Sequence, residues 1–275
     1  MTKKNIPSSL HIENNRLETK KPIKTFEEYV RVVRMLSNYW DTTEIWFRGQ
    51  GDENYKLIPG AYRYLDKNSV IYDPEEERNI EDEYIRRAKS YFPEVGSNHD
   101  RWYWYQLMQH HGLPTRLLDW TEAGATALYF ALRSINHVNS AVWIIDPHQF
   151  NKVTTDTDVV FYTDPSIKGH DDESVVGNYV PSRPAMPELP IAVSPAHSLP
   201  RISAQKGNFT VHGRGTKPIE EIFSSSTKPY LAKLIISEKK AVDIQMELEI
   251  MGLVETSLFP DLDGLARELR NEYSI

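Results

Sequence analysis

Apolar residues recur at helical spacing in several stretches of the chain. Thr25 and Glu28 form the capping-box pattern that begins a helix, and a stripe of apolar residues follows them. Asp73 and Pro74, followed by three glutamates, are a second helix start, and we expect these acids to be solvated. The inward residues of this helix are expected to be Ile80, Tyr84, Ile85 and Ala88. Further helices are predicted over residues 100–112, 121–132 and 239–251, and from about 261 onward.

Three shorter stretches have the pattern of strands. Residues 44–49 alternate between two faces, so Arg48 falls at a strand end. The glycines at positions 49 and 51 are then expected to form a free turn. The other two strands are predicted over the apolar runs 141–145 and 231–236.

Two stretches lack a clear pattern. Residues 1–24 are polar and without periodicity, and we expect a flexible N-terminal arm. Residues 153–200 are rich in proline, aspartate and serine, which predicts a long loop or a lid. The mixed order of elements over residues 25–275 predicts a single α+β domain, with a central, mainly antiparallel sheet flanked by helices.

Composition narrows the classes of function. The formal net charge of −7 over 275 residues argues against a nucleic-acid partner held by bulk charge. The absence of cysteine excludes disulfides and thiolate sites. His110 and His111 are adjacent, so they point in different directions on a helix and are a poor metal site. No apolar run is long enough to span a bilayer and no signal-peptide pattern is present, so we expect a cytoplasmic protein without a membrane partner.

Two arginines lie among aromatic and apolar neighbours. Such an arginine must find a partner, because an unpaired buried charge is costly. Asp119, three residues after Arg116, is the candidate structural partner of Arg116, and a ligand phosphate or carboxylate is the alternative. For Arg48 we favour ligand binding, because binding residues are often placed in loops at the end of a strand.

Four segments of the sequence resemble the FRG domain, a bacterial family named for its Phe-Arg-Gly signature. They are residues 46–50, residues 109–121 with 127–131, residues 201–209, and residues 258–265. The resemblance covers nearly the whole chain from about residue 26. FRG proteins occur in bacteria and phages, and some resemble parts of anti-phage defence systems or toxins, which implies an effector or regulatory role.

The order of these parts is also similar to that of the Arg-Ser-Glu class of ADP-ribosyltransferases, which implies an ADP-ribosyltransferase-like arrangement of the sheet. By that resemblance Arg48 holds the NAD phosphates, while Thr121 and Gln205 contact the ribose in the catalytic set. Position 207 is glycine where the transferases have their catalytic glutamate. Either another acid serves or transfer activity is weak or absent. The acids considered for that role are Glu220, Glu221 and Glu255.

The implied ligand site draws on both resembling segments. Its members are Arg48, Gln50, Arg116, Asp119, Trp120 and Tyr129. Trp104, Trp120 or Tyr129 would stack on a nicotinamide or adenine ring. The ligand is expected to be NAD or another phosphate-bearing nucleotide, with NAD as substrate and no metal ion. The alternative is a non-catalytic module that senses a ligand or binds a protein partner.

Overall fold

The fold is described from a computed structural model of the chain. The structure describes residues 5–63, 73–91, 101–133, 137–164, 173–181, 186–196, 199–223 and 229–273. Within these ranges the chain forms one mixed sheet with helices packed against it.

The strands and helices are numbered in chain order. The strands are β1 (Leu10–Glu13), β2 (Arg16–Thr19), β3 (Trp46–Gln50), β4 (Leu117–Thr121), β5 (Ser140–Ile145), β6 (Phe161–Tyr162), β7 (Ile191–Ser194), β8 (Gly207–Val211) and β9 (Leu231–Ile236). The longer helices are α1 (Phe26–Trp40), α3 (Pro74–Tyr91), α4 (Arg101–His110), α5 (Gly124–Leu132), α6 (Pro147–Thr155), α10 (Ala241–Ile250) and α12 (Leu262–Tyr273). The short helices are α2 (Gly60–Arg63), α7 (Glu173–Gly177), α8 (Pro200–Ala204), α9 (Ile219–Ile222) and α11 (Glu255–Leu258).

The sheet confirms the predicted fold class. Its strand order is β1-β2-β9-β5-β3-β4-β8-β7-β6. The β2–β9 and β6–β7 pairs are parallel, and the other described pairs are antiparallel. One face of the central strands packs against α1, α5 and α10, and the opposite face buries three tryptophans. The protein is therefore an α+β fold with a mainly antiparallel sheet, as the order of elements predicted.

The N-terminal segment differs from the expected flexible arm. Strands β1 and β2 form a hairpin, and β2 pairs in parallel with β9. Leu10 and Leu17 are fully buried in the core, and Ile23 bridges to the end of β9. The apolar residues that anchor this hairpin are few and widely spaced, so they gave no periodic signal in residues 1–24.

The expected lid over residues 153–200 also contains part of the sheet. Strand β7 pairs with β8, and Ile191 and Val193 are fully buried. The adjacent strand β6 has two residues, too few to show alternation. Residues 165–172, 182–185 and 197–198 of the expected lid lie outside the described residues. The described part of this segment is therefore sheet and core rather than a closing loop.

The inward face of α3 combines apolar side chains with two buried acids. Ala88 is buried, and Tyr84 and Ile85 pack against the core, as predicted. Ile80 is half exposed, while Glu77 and Glu81 are buried. Glu81 accepts hydrogen bonds from Arg101, and Glu77 pairs with Arg116. Among the glutamates that we expected to be solvated, Glu77 is therefore buried. Its counter-charge is supplied by Arg116, which is distant in sequence and lies in the core.

Gly49 lies within β3 rather than in a free turn. A Cβ built on Gly49 would lie 2.0 Å from the carbonyl oxygen of Ala127 and 2.5 Å from the amide nitrogen of Ala131. Helix α5 therefore lies directly against the backbone of β3, an approach that only glycine permits. This contact sets the helix beside Arg48.

Candidate functional site

A cleft opens where β3 and β4 separate. The two strands share one paired position, Phe47 with Thr121. Beyond that point Arg48 Nη1 donates to the backbone oxygen of Asp119 at 2.7 Å and lies 3.5 Å from its carboxylate Oδ2. The arginine after the Phe of the signature therefore bridges the gap between the strands, where a backbone hydrogen bond would otherwise lie.

The cleft has a volume of about 470 Å³ and combines cations with aromatic rings. Its charged and polar lining comprises Arg48, Arg133, Arg201, His110, Asp119, Gln106, Gln109, Thr121 and Gln205. Its aromatic lining comprises the side chains of Phe47, Phe130, Phe209 and Phe259. Three arginines and one carboxylate line the cleft, and Arg133 and Arg201 are each also paired with a carboxylate outside that lining, Glu255 and Asp261. Such a surface is suited to an anionic ligand with a planar ring.

Arg48 has hydrogen-bonding capacity to spare. Its side chain is 14% exposed, and its buried Nε has no partner within the described part of the chain. Burial lowers the pKa of Arg48 and Asp119 opposes that shift, while Arg63 adds to it. Guanidinium groups titrate so far above neutrality that Arg48 stays charged. A buried charge with an unused donor favours an anionic partner.

The second wall of the cleft is built around one phenylalanine. The guanidinium carbons of Arg133, Arg201 and Arg267 lie 4.5, 4.9 and 5.0 Å from the centre of the Phe259 ring. Arg201 is held by Asp261 at 2.8 Å, and its buried Nε has no partner among the described residues. Stacking on the ring orients these planar groups while leaving their edges available for hydrogen bonds.

His110 lies in the same cleft as a neutral imidazole. Burial lowers its pKa from the ordinary value of about 6.5, and the neighbouring charges of Arg201 and His111 act in the same direction. Asp261 opposes the shift. At neutral pH this side chain can therefore donate one hydrogen bond and accept another.

Four of the residues named from sequence come together at the cleft. They are Arg48, Asp119, Thr121 and Gln205. Thr121 Oγ1 donates to the backbone oxygen of Gln205 at 2.6 Å, and Gln205 Nε2 donates to the backbone oxygen of Leu258 at 3.1 Å. Asp119 projects most freely, with its side chain 61% exposed, and Gln109 Nε2 donates to both its oxygens at 3.2 Å.

Three other named side chains lie elsewhere. Gln50 is buried, where it accepts from Trp143 Nε1 at 2.8 Å and donates to the backbone oxygen of Lys56. Trp120 borders the cleft, but its indole is buried on the opposite face of the sheet. Tyr129 lines a neighbouring groove and donates to Glu255. None of these three presents its ring or amide to the cleft.

Arg116 is fully buried outside the cleft. Its Nε donates to both oxygens of Glu77, at 3.1 and 2.9 Å. Its other nitrogens donate to the backbone oxygens of His212 and Tyr179. Glu77, rather than the expected Asp119, is therefore its carboxylate partner, and the pair joins α3 to the start of β4.

The acids considered as substitutes for a glutamate at position 207 do not line the cleft. Glu220 accepts from the backbone amide of Leu57, Glu221 pairs with Lys56, and Glu255 is held in the neighbouring groove. Gly207 pairs with Thr121 at the start of β8. Asp119 is the one carboxylate among the described residues that line the cleft.

Sequence reasoning missed part of the cleft. Arg201 and Phe259 fall in segments that carried the FRG resemblance, but no role was assigned to either. Arg133 follows the last turn of α5 and had no distinguishing neighbour in sequence. His110 was considered as a metal ligand alone.

The cleft and the sheet define an α+β protein with a cationic site between two separating strands. The model of the FRG domain matches residues 43–140 of the chain, a range that contains Arg48, Asp119 and Arg133. This part of the chain is therefore similar to the FRG domain. Comparisons with curated proteins and with solved structures gave no match.

Two further features concern membranes and metals. Among the described helices, none combines the length and apolar character needed to cross a membrane. Within the described ranges, no three histidine, aspartate or glutamate side chains are grouped so that they could hold a metal ion.

Proposed function

We propose that the cleft binds NAD or a related nucleotide, and that the protein acts through it as an effector of a bacterial or phage defence system. The observation that supports a nucleotide ligand is that three arginines and four phenylalanines line one cleft of about 470 Å³ in an otherwise acidic protein. The effector role rests on the resemblance of some FRG proteins to components of such systems.

The phosphates of the nucleotide would lie against Arg48 and Arg201. Each has a buried Nε that lacks a partner within the described residues, beside a terminal nitrogen already bound to a carbonyl or carboxylate. The terminal N–H groups that are not engaged in this way would donate to a phosphate, whereas the Nε atoms are shielded from solvent. The arginines that line the cleft would supply the charge that such a ligand needs.

The base or nicotinamide ring would lie among the aromatic side chains. Phe130 and Phe259 meet edge to face at 5.9 Å, and Phe209 lies across from them on β8. Offset and edge-to-face contacts with such rings contribute about 0.5–1.5 kcal/mol each beyond burial. The side-chain amides of Gln106, Gln109 and Gln205 would contact polar edges of the ligand.

Asp119 is our candidate for the acid if NAD is cleaved. The bond between the anomeric carbon and the nicotinamide nitrogen would break, the bonding pair would leave with nicotinamide, and water or an acceptor would add to the sugar. A carboxylate beside the anomeric carbon stabilises the positive charge that develops there. Asp119 is exposed enough to reach a ligand and is the described acid that lines the cleft.

A second function, ligand sensing without turnover, is favoured by one observation. The carboxylate of Asp119 already interacts with Arg48 and Gln109, as expected of a group that positions others. In that case the cleft would report the presence of a nucleotide to a protein partner, and no bond would break.

Nicotinamide release and thermal unfolding together test these alternatives. Purified protein is incubated with NAD, alone and with cell lysate, and its melting temperature is measured with and without NAD. Ligand binding raises the melting temperature whether or not turnover follows. Arg48→Lys should remove the shift in melting temperature, because lysine cannot form the paired hydrogen bonds, while the fold is retained.

The outcomes separate binding from catalysis. Release by the wild type but not by Asp119→Asn supports NAD cleavage, provided that Asp119→Asn still shows the thermal shift. A thermal shift without release supports the sensing module. If NAD and other nucleotides leave the melting temperature unchanged, or shift it equally in Arg48→Lys, the proposal of a nucleotide site is wrong.

A further inference from the structure

A second groove adjoins the cleft across Arg133. It has a volume of about 300 Å³ and lies between α5, α10, α11 and α12. Its charged lining comprises Arg133, Arg267, Arg270, Glu249 and Glu255. Arg133 belongs to the linings of both the cleft and the groove, so its guanidinium lies at their junction.

The buried acid of the groove is already fully engaged. Glu255 accepts from Arg133 Nη2 at 2.8 Å, from Arg267 Nε and from the hydroxyl of Tyr129. Burial opposes its ionisation, but the hydrogen bonds from Tyr129 and Arg267 hold the pKa of Glu255 below its ordinary value. Two arginines thus share one carboxylate, which leaves their remaining N–H groups and one positive charge available.

Arg270 adds a cation that no carboxylate holds. It is exposed on α12 and lines the groove, and no ion pair is found for it within the described part of the chain. Glu249, also exposed, is the other acid of the lining. Three arginines against two carboxylates leave the groove positive.

We propose that the nucleotide extends past Arg133 into this groove, and that its distal half carries a further phosphate bound by Arg270. The inference rests on the proposed nucleotide site. Arg133 at the junction would meet the pyrophosphate that joins the two halves of a dinucleotide. The ligand class is then a phosphorylated dinucleotide, such as NADP, rather than a mononucleotide.

The lining residue that the two cavities share, Arg133, supports one ligand rather than two. Arg133 stacks on Phe259, which forms the wall of the cleft, and is hydrogen-bonded to Glu255, which forms the floor of the groove. A mononucleotide bound in the cleft would leave the donors of Arg267 and Arg270 unused. A chain of phosphates and riboses would use both.

Calorimetric titration with AMP, NAD and NADP tests the proposal. The wild type should bind NADP about tenfold more tightly than NAD, the value of one charge-assisted hydrogen bond, and AMP more weakly than either. Arg270→Gln should abolish the preference for NADP and leave the dissociation constants of NAD and AMP unchanged. Arg34→Gln, an equally exposed arginine on α1, is the matched control and should bind as the wild type does.

The possible results distinguish the extended ligand from the nucleotide cleft itself. Equal binding of NAD and NADP by the wild type, or an NADP preference that survives in Arg270→Gln, overturns the extended ligand while the nucleotide cleft stands. If Arg270→Gln weakens the binding of AMP, NAD and NADP equally, the extended ligand is also overturned. In that case Arg270 would affect the shape of the cleft rather than bind a distal phosphate. Failure of the wild type to bind any of the three would instead refute the nucleotide cleft.

Discussion

Replacement of Arg116 by methionine should destabilise the protein severely without acting at the cleft. The guanidinium is fully buried and makes two hydrogen bonds to Glu77 and one each to the backbone oxygens of His212 and Tyr179. Methionine fills a similar volume but supplies no donor. The carboxylate of Glu77 would be left buried, with the hydroxyl of Tyr105 as its remaining described donor.

The expected loss follows from removal of the arginine that pairs with a buried carboxylate. Breaking a buried ion pair by removal of one partner typically costs about 3–5 kcal/mol. The two backbone oxygens would also lose their donors, at about 1–3 kcal/mol for each. Because contributions of neighbouring groups are not additive, we expect a total near the lower end of the combined range, about 5 kcal/mol.

Urea unfolding followed by tryptophan fluorescence measures this loss. The variants are Arg116→Met, Glu77→Met and the double variant, with Arg34→Met on the exposed face of α1 as the control. Replacement of a whole buried ion pair by apolar side chains is often nearly neutral. The loss of unfolding free energy in the double variant should therefore be smaller than the sum of the losses in the two single variants.

A small effect would refute the reasoning. If Arg116→Met lowers the free energy of unfolding by less than about 1 kcal/mol, the pair with Glu77 cannot be the buried network described here. If the variant instead keeps its stability and loses nucleotide binding, Arg116 is a ligand residue, and the motif that contains it belongs to the site.

Three further predictions concern the sheet around the cleft. Gly49→Ala should lower the free energy of unfolding by at least about 1–3 kcal/mol in urea titrations, because its Cβ would overlap the backbone of Ala127. Gln50→Met should cost about 1–3 kcal/mol, because it leaves the buried Trp143 Nε1 without an acceptor, yet nucleotide affinity should be unchanged; lost affinity at full stability would contradict this. Burial, aided by a neighbouring arginine, lowers the pKa of His212 to about 3, so the unfolded chain binds a proton that the folded chain does not. Stability should therefore fall by up to about 1.4 kcal/mol per unit as pH drops from about 6.5 towards 3, and His212→Asn should flatten that slope.

The central elements of the fold could be predicted because their signals are local. The N-cap half of the capping box predicted at Thr25 is seen as Thr25 Oγ1 accepting from Glu28 N, whereas the Glu28 carboxylate accepts from the amide of Lys24. The apolar runs at 141–145 and 231–236 became β5 and β9. By contrast, the hairpin β1–β2 and strand β7 are held by pairing with distant strands. Two- to four-residue strands of this kind have too few positions for a periodic pattern.

The site was only partly predictable for a different reason. Arg48 was named because a strand was predicted to end there; it lies in the middle of β3 instead, and the separation of β3 from β4 places it in the cleft. Arg116 also lies among apolar and aromatic neighbours in the sequence, but its partner Glu77 lies 39 positions away, on helix α3. Neither Arg133 nor Arg201 could be paired with Phe259 from sequence, because that ring is brought to them by the tertiary fold.

The FRG match marks one side of the cleft, and the rest of the sheet supplies the other. Arg48 lies within residues 43–140, whereas Arg201 and Phe259 lie far beyond them. Strand β4 pairs along its whole length with β8, and β3 pairs with β5, which begins where the match ends. Without those partners β4 would present a bare edge, and Arg116 would lose the two carbonyls beyond residue 140 that it binds. The cleft is therefore formed by residues on both sides of position 140, and variation after residue 140 would change its lining while the Phe-Arg-Gly signature stays the same.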